Sequence, residues 1–254
     1  RRLRREFGLS LRGGEMVQPW FAKKFRPETL APRAEVQLCY SFISEIECDA
    51  LVAAECDALQ ANGRPAERAE GVWVDRCFRL YRMAVRKGEN TVTVRVPFGS
   101  AANIEAVYIL GDFGVKLPAT ICPLPETLSP DGIGGQGLPF YGGAVTFYTG
   151  IRDAGRVRIT VRELHGASVH AAGGGEEKVI AFPPYAAEAD VREELTLTLY
   201  LTRRNTFGPN HYTPQPLYAY GPDAWISEGE NWSGFPVLIP QGFSAKAEKV
   251  VLSR

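Results

Sequence analysis

AVYILGDFGVKL at 106–117 and GLPFYGGAVTFY at 137–148 flank a connector broken by Pro118, Pro123, Pro125, Pro130, Gly132, Gly134, Gly135 and Gly137. Proline removes a backbone donor and clustered glycine punctuates regular structure, so this connector is neither a helix nor a central strand. The apolar run before it closes one unit, and the alternating run after it opens another. The stretch from Ala106 to Tyr148 reads as the seam between two copies of one β-sandwich unit.

Upstream of the seam, VQLCYSFI opens the first unit, assigned to residues 36–115. DALVAAECDALQA has helix propensity when taken alone. Asn62-Gly63 is a hairpin signal, however, and WVDRCFRLYRM behind it has strand character, so two strands are expected instead. A turn at Arg86–Asn90 leads into TVTVRV, where Val92, Val94 and Val96 share one face with period two. EAVYILGDFGV closes the unit.

Downstream, residues 116–254 repeat that order. AVTFYTGI is the opening strand, and RVRITVREL puts Val157, Ile159 and Val161 on one face. GASVHAAGGGEEKVIAFPPY takes the place of the first unit's LQANGRPAERAEGVWVD, and LTLTLYL that of TVTVRV, which predicts Leu195, Leu197 and Leu199 opposite Val92, Val94 and Val96. FPVLIPQGF is expected to stand for VYILGDFGV. A segment rich in Pro, Gly and aromatics, near 205–234, reads as an insertion in the second copy. Matching segments in one order point to duplication, and short strands with Gly/Pro turns point to an all-β class.

Residues 1–35 form an N-terminal arm or linker with Arg1, Arg2, Arg4, Arg5, Arg12, Lys23, Lys24, Arg26 and Arg33. No aromatic interleaving accompanies these charges, so a solvated arm that docks Met16, Val17 and Trp20 is expected. The opening RRLRREFG lacks Met and reads as cut from a longer chain. Lys plus Arg equal Asp plus Glu at 29 each, so charge gives no case for nucleic acid or an anionic membrane. No run is long and apolar enough for a bilayer span. Five cysteines without CxxC spacing argue for free thiols rather than zinc or disulfides, and point to the cytoplasm.

Catalysis finds little footing. Glycoside hydrolysis needs two carboxyls facing each other across a sugar, whereas Asp75, Asp112, Asp131 and Asp223 sit in turn-like settings. His165 and His170 are five apart, on opposite faces of a strand, and His211 is distant, so no metal set forms. DGIGGQG has no Lys and opens no helix, unlike a phosphate cradle. No catalytic residue, metal or cofactor is expected. Sugar binding does have candidates: Trp225 and Trp232, with Tyr141 and His211 as neighbours. Indole and phenol rings stack on the apolar faces of pyranoses. The competing role for these aromatics is to pin a long loop to the sandwich.

NGRPA, WVDRCFRLYRM, the GEN turn and the alternating strand behind it resemble the sugar-binding domain of family 2 glycoside hydrolases, a galactose-binding-like jelly roll. LRGGEMVQPW, YILGDFGV, GLPFYGG, AFPPY and TRRNTFGPNH are similar to the C-terminal β-sandwich region of bacterial glycoside hydrolases, some of them α-L-rhamnosidase-like. The resemblance covers nearly the whole chain. It implies two tandem galactose-binding-like jelly-roll β-sandwiches, acting as a non-catalytic accessory region that binds an oligosaccharide or supports a catalytic domain of the same polypeptide. The alternatives are a purely structural module without a ligand and, last, a self-sufficient glycosidase. One departure from the pattern stands out: the second copy has Ala171, Ala172, Gly173, Gly174 and Gly175 where an Asn-Gly turn belongs.

Overall fold

The computed structural model of the protein describes residues 2–8, 32, 34–99, 107–214, 224–226 and 228–250. The fold is all-β, 51% strand and 6% helix, with several sheets, none of them closed. Two compact units are present: Arg1–Leu124 with His211–Phe235, and Pro125–Asn210 with Pro236–Arg254.

The first unit contains β1 (Ala34–Ser44), β2 (Cys48–Ala54), β3 (Leu59–Ala61), β4 (Arg64–Pro65), β5 (Arg68–Ala69), β6 (Arg79–Val85), β7 (Gly88–Phe98), β8 (Val107–Leu110), β9 (Gly114–Lys116) and β10 (Thr120–Cys122). One sheet has the order β4-β3-β7-β1-β10-β9 and the other β5-β6-β2-β8. Their inward residues share one core, including Val52, Tyr81, Met83, Val92, Val94 and Leu59, with Leu38, Tyr40 and Ile109 packed against it. The alternation read from TVTVRV is what turns Val92, Val94 and Val96 inward.

The second unit contains β11 (Ala144–Arg152), β12 (Gly155–His165), β13 (Ser168–Ala172), β14 (Glu177–Ile180), β15 (Ala186–Val191), β16 (Glu194–Tyr200) and β17 (Gly242–Lys249). Its sheets are ordered β11-β16-β13-β14 and β15-β12-β17. Val157, Ile159, Val161, Leu195, Leu197, Leu199 and Phe243 form one core between them. The strand order reproduces β1-β7-β3-β4 and β6-β2-β8 of the first unit. The chain carries the same two-sheet plan twice.

The central strands, β7 and β16, each pair with two neighbours. Val92 lies opposite Ala61 and Tyr40, and Leu197 lies opposite Ala171 and Phe147. Val94 lies opposite Leu59 and Leu38, and Leu199 opposite Val169 and Val145, so both central strands turn alternate residues to their own core.

One buried side chain explains the NGRPA and GEN motifs. Asn90 is fully buried, and its Nδ2 donates to the carbonyls of Arg86 (2.6 Å) and Gly88 (3.1 Å). Its Oδ1 accepts from the Arg86 amide at 2.9 Å and from Asn62 Nδ2 at 3.0 Å. Asn62 and Gly63, at φ 50 and 76, form the tight β3–β4 turn. Asn62 Oδ1 accepts from the Thr91 amide at 2.9 Å, stapling the turn to β7. In the second unit the glycine run makes backbone hydrogen bonds of its own. Gly173 O accepts from the amides of Arg192 (2.8 Å) and Glu193 (3.3 Å). A Cβ on Gly174 would run into the Asp190 carbonyl, so that approach needs glycine.

Other boundaries move as well. β9 and β10 extend the first unit to Leu124, beyond 115, because β10 hydrogen-bonds beside β1. WVDRCF is not strand: Trp73, Phe78 and Tyr108 form a three-ring cluster, with centroids 4.9–5.6 Å apart, before β6 begins at Arg79. FPVLIP is not strand either; β17 starts at Gly242 and pairs with β12 in the place of β8. The stretch 211–235, read from the sequence as an insertion of the second copy, groups with the first unit. In the arm a short helix, Arg2–Glu6, is followed by Phe7, whose ring lies 5.6 Å from that of Phe98. Met16, Val17 and Trp20 lie outside the described residues.

Candidate functional site

The stretch 211–235 is a small ribbon with its own hydrogen bonds. Tyr212 and Trp232 form an antiparallel bridge. On either side the Ser233 amide donates to His211 O (2.9 Å) and the Thr213 amide to Asn231 O (2.9 Å). The Trp232 amide closes a turn on Gly229 O at 3.1 Å. Glu228, one residue before that turn, pairs with Arg5.

His211 and Trp232 come together on this ribbon. Their rings stack, 6.3 Å between centroids and 29° between planes. His211 Nδ1 lies 2.8 Å from the Ser233 carbonyl oxygen, which fixes the imidazole against the indole. Trp232 remains 41% exposed, and Trp225 39%. Trp225 follows the buried Ala224. The residue that sinks into the protein is the alanine, and the indole beside it keeps open surface. No ring contact joins Trp225 to Trp232 among the described residues.

Tyr141 belongs to the second unit. Its hydroxyl donates to Ala144 O at 3.1 Å, and its own carbonyl accepts from Gln241 Nε2 at 2.9 Å. This tyrosine is tied to the start of β11. Nothing in the sequence separates it from the tryptophans, because the division of the chain into units is a matter of tertiary contacts.

No family model matches the chain, and neither a curated protein nor a solved structure does. The site's chemistry therefore rests on its own residues.

Three carboxyls among the described residues have their acidity raised by hydrogen bonds. Asp75 accepts from the Cys77 amide at 2.8 Å, a turn-closing bond that holds its carboxyl below the usual range. Hydrogen bonds from Lys178 and Lys246 lower Glu176 and Glu248 in the same way. A general acid needs the opposite shift. Asp223 lies outside the described residues. Among the described residues no group of three or more His, Cys, Asp or Glu gathers as a metal site. All five cysteines are free. Cys77 is pushed up to about 11 by desolvation and by the Asp75 and Glu55 carboxylates, which suppresses the nucleophilic thiolate.

The outward face of the β11-β16-β13-β14 sheet carries two further exposed aromatic rings that no sequence motif marks. Tyr148 is 74% exposed and Tyr200 40%. Tyr200 lies with its ring centroid 4.4 Å from that of His170. The available signal was the alternation itself: in AVTFYTGI the inward Val145 and Phe147 leave Thr146 and Tyr148 outside.

Proposed function

We propose that the chain is a non-catalytic accessory region of a bacterial glycoside hydrolase, built of two galactose-binding-like jelly rolls, and that it binds carbohydrate. The observation that carries this reading is the half-open Trp232 indole, backed on one side by His211 and held on a hydrogen-bonded ribbon. A pyranose needs a fixed aromatic plane with one free face and polar groups at its edge. The ribbon offers the plane, and Glu228, Glu230 and Asn231 lie beside it in the chain.

Preorganisation matters for so small a site. Stacking on an open surface gives only weak affinity, about 4–6 kcal/mol, or roughly millimolar to tens of micromolar. A ring already fixed by a neighbour loses little further freedom on binding. A screen of the chain against neutral oligosaccharides, with rhamnosides and galactosides included and reducing-sugar release measured in the same wells, tests the proposal. Binding without release supports it. Release of product that disappears when one acidic residue is replaced would identify a glycosidase instead.

A further inference from the structure

We propose that the outward face of the β11-β16-β13-β14 sheet is a second carbohydrate-binding surface, which takes an extended, neutral oligosaccharide. This inference shares its ligand class with the proposed function but uses other residues on the other unit.

Register defines the face row by row. Ala144, Tyr200 and Ser168 lie side by side on β11, β16 and β13. The next outward row is Thr146, Thr198, His170 and Val179, and the third is Tyr148, Thr196, Ala172 and Glu177. The two tyrosines therefore stand on neighbouring strands at opposite ends of the face, four residues or about 14 Å apart along the strands. Hydroxyls fill the space between them, with Thr146 Oγ1 and Thr198 Oγ1 hydrogen-bonded at 2.9 Å. His170 bridges two further groups: its Nδ1 lies 2.7 Å from Glu177 Oε1 and its Nε2 3.1 Å from Ser168 Oγ.

Duplication gives an internal control. The outward positions of β1 and β7, among them Cys39, Ser41, Thr93 and Arg95, hold no aromatic ring. Cys39 Sγ and Thr93 Oγ1 lie 3.7 Å apart on this face. A solvated sheet face in this fold needs no aromatic ring, since the first unit has none at these positions. The rings on the second unit are additions to the plan.

Charge selects the occupant. The three rows carry one carboxylate, Glu177, at a corner already engaged with His170, and the next pair beyond Tyr148, Arg152 and Glu194, forms a salt bridge at 3.1 Å. The cation at this end of the sheet already has a carboxylate beside it, which disfavours a polyanion. A protein partner would meet separated rings and hydroxyls rather than a continuous apolar patch. Two aromatic planes with neutral donors and acceptors between them match a neutral glycan, whose sugar faces stack while its hydroxyls exchange hydrogen bonds. The spacing of the rings asks for several sugar units, so a monosaccharide would engage only one.

The test uses the full chain titrated with tetra- to hexasaccharides of glucose, xylose, mannose and galactose, with oligogalacturonate as the acidic comparison. The expected result is binding of a neutral member that weakens about tenfold or more in Tyr148→Ala/Tyr200→Ala. Tyr148→Phe/Tyr200→Phe should keep most of it, because the ring faces remain. Binding that persists in the alanine double variant but disappears in Trp225→Ala/Trp232→Ala would leave the ribbon site standing and overturn this one. The proposal also fails if no neutral oligosaccharide binds, if oligogalacturonate binds as well as the neutral probes, or if the face instead drives a concentration-dependent dimer that Tyr148→Ala abolishes. An unchanged unfolding midpoint of the alanine variant shows that any loss comes from the surface and not from unfolding.

Discussion

Replacing Asn90 with alanine should remove the polar staple that fixes the first unit's two adjoining turns. Four hydrogen bonds end on this one amide: to the carbonyls of Arg86 and Gly88, and from the amides of Arg86 and Asn62. The side chain is fully buried, so water does not take its place at no cost. Each bond contributes about 0.5–1.5 kcal/mol net, and a buried group left unpaired costs about 1–3 kcal/mol. Partial rehydration of the turn offsets some of this, which leaves an expected loss of about 2–4 kcal/mol. Leucine should be no better, since it fills space and pairs with none of these groups. Urea unfolding of the first unit gives the loss directly. A cycle with Asn62→Ala should show coupling, because the two side chains share a bond. A loss below about 1 kcal/mol for Asn90→Ala, or full tolerance of Asn90→Leu, would refute the reasoning.

Two further predictions concern local chemistry. Gly174→Ala should destabilise the second unit by about 1–3 kcal/mol in thermal or urea unfolding, because the added methyl meets the Asp190 carbonyl. Alkylation of Cys77, read by peptide mass spectrometry, should be slow at pH 8 and rise only as pH approaches about 11. Asp75 and Glu55 disfavour the thiolate, so Asp75→Asn should lower that midpoint and speed labelling; an unchanged rate would remove the carboxylates from the explanation.

Much of the architecture was legible because alternation is a local property. TVTVRV, RVRITVREL and LTLTLYL each show their inward residues without reference to any partner. The Asn62-Gly63 turn was legible for the same reason. Register was not: a slip of two leaves the pattern intact, and only hydrogen bonds pair Val92 with Tyr40 and Leu197 with Phe147. β17 was missed because GFSAKAEK needs little apolar content at the edge of its sheet, where Phe243 is its one large buried side chain. The apolar FPVLIP beside it drew the assignment instead. The candidate site was half legible. Trp232 and His211 stand out in the sequence as aromatics in an irregular segment, and the structure brings them together. Their unit could not be read, because sequence adjacency favours the second copy and tertiary contacts favour the first. The outward tyrosines hid in plain alternation, since Tyr148 and Tyr200 come onto one face only once β11 and β16 are paired.

The most direct measurement follows the Trp232 and Trp225 indole N–H resonances while the full chain is titrated with the oligosaccharide that scores best in the neutral screen. Stacking buries part of one indole face, worth about 1–2 kcal/mol, or roughly 5- to 30-fold in affinity. The account predicts that the Trp232 signal shifts saturably, that Trp232→Ala weakens binding by that factor at an unchanged unfolding midpoint, and that the sugar is recovered intact. An unmoved Trp232 resonance with every neutral oligosaccharide, or a sugar recovered cleaved, would contradict it.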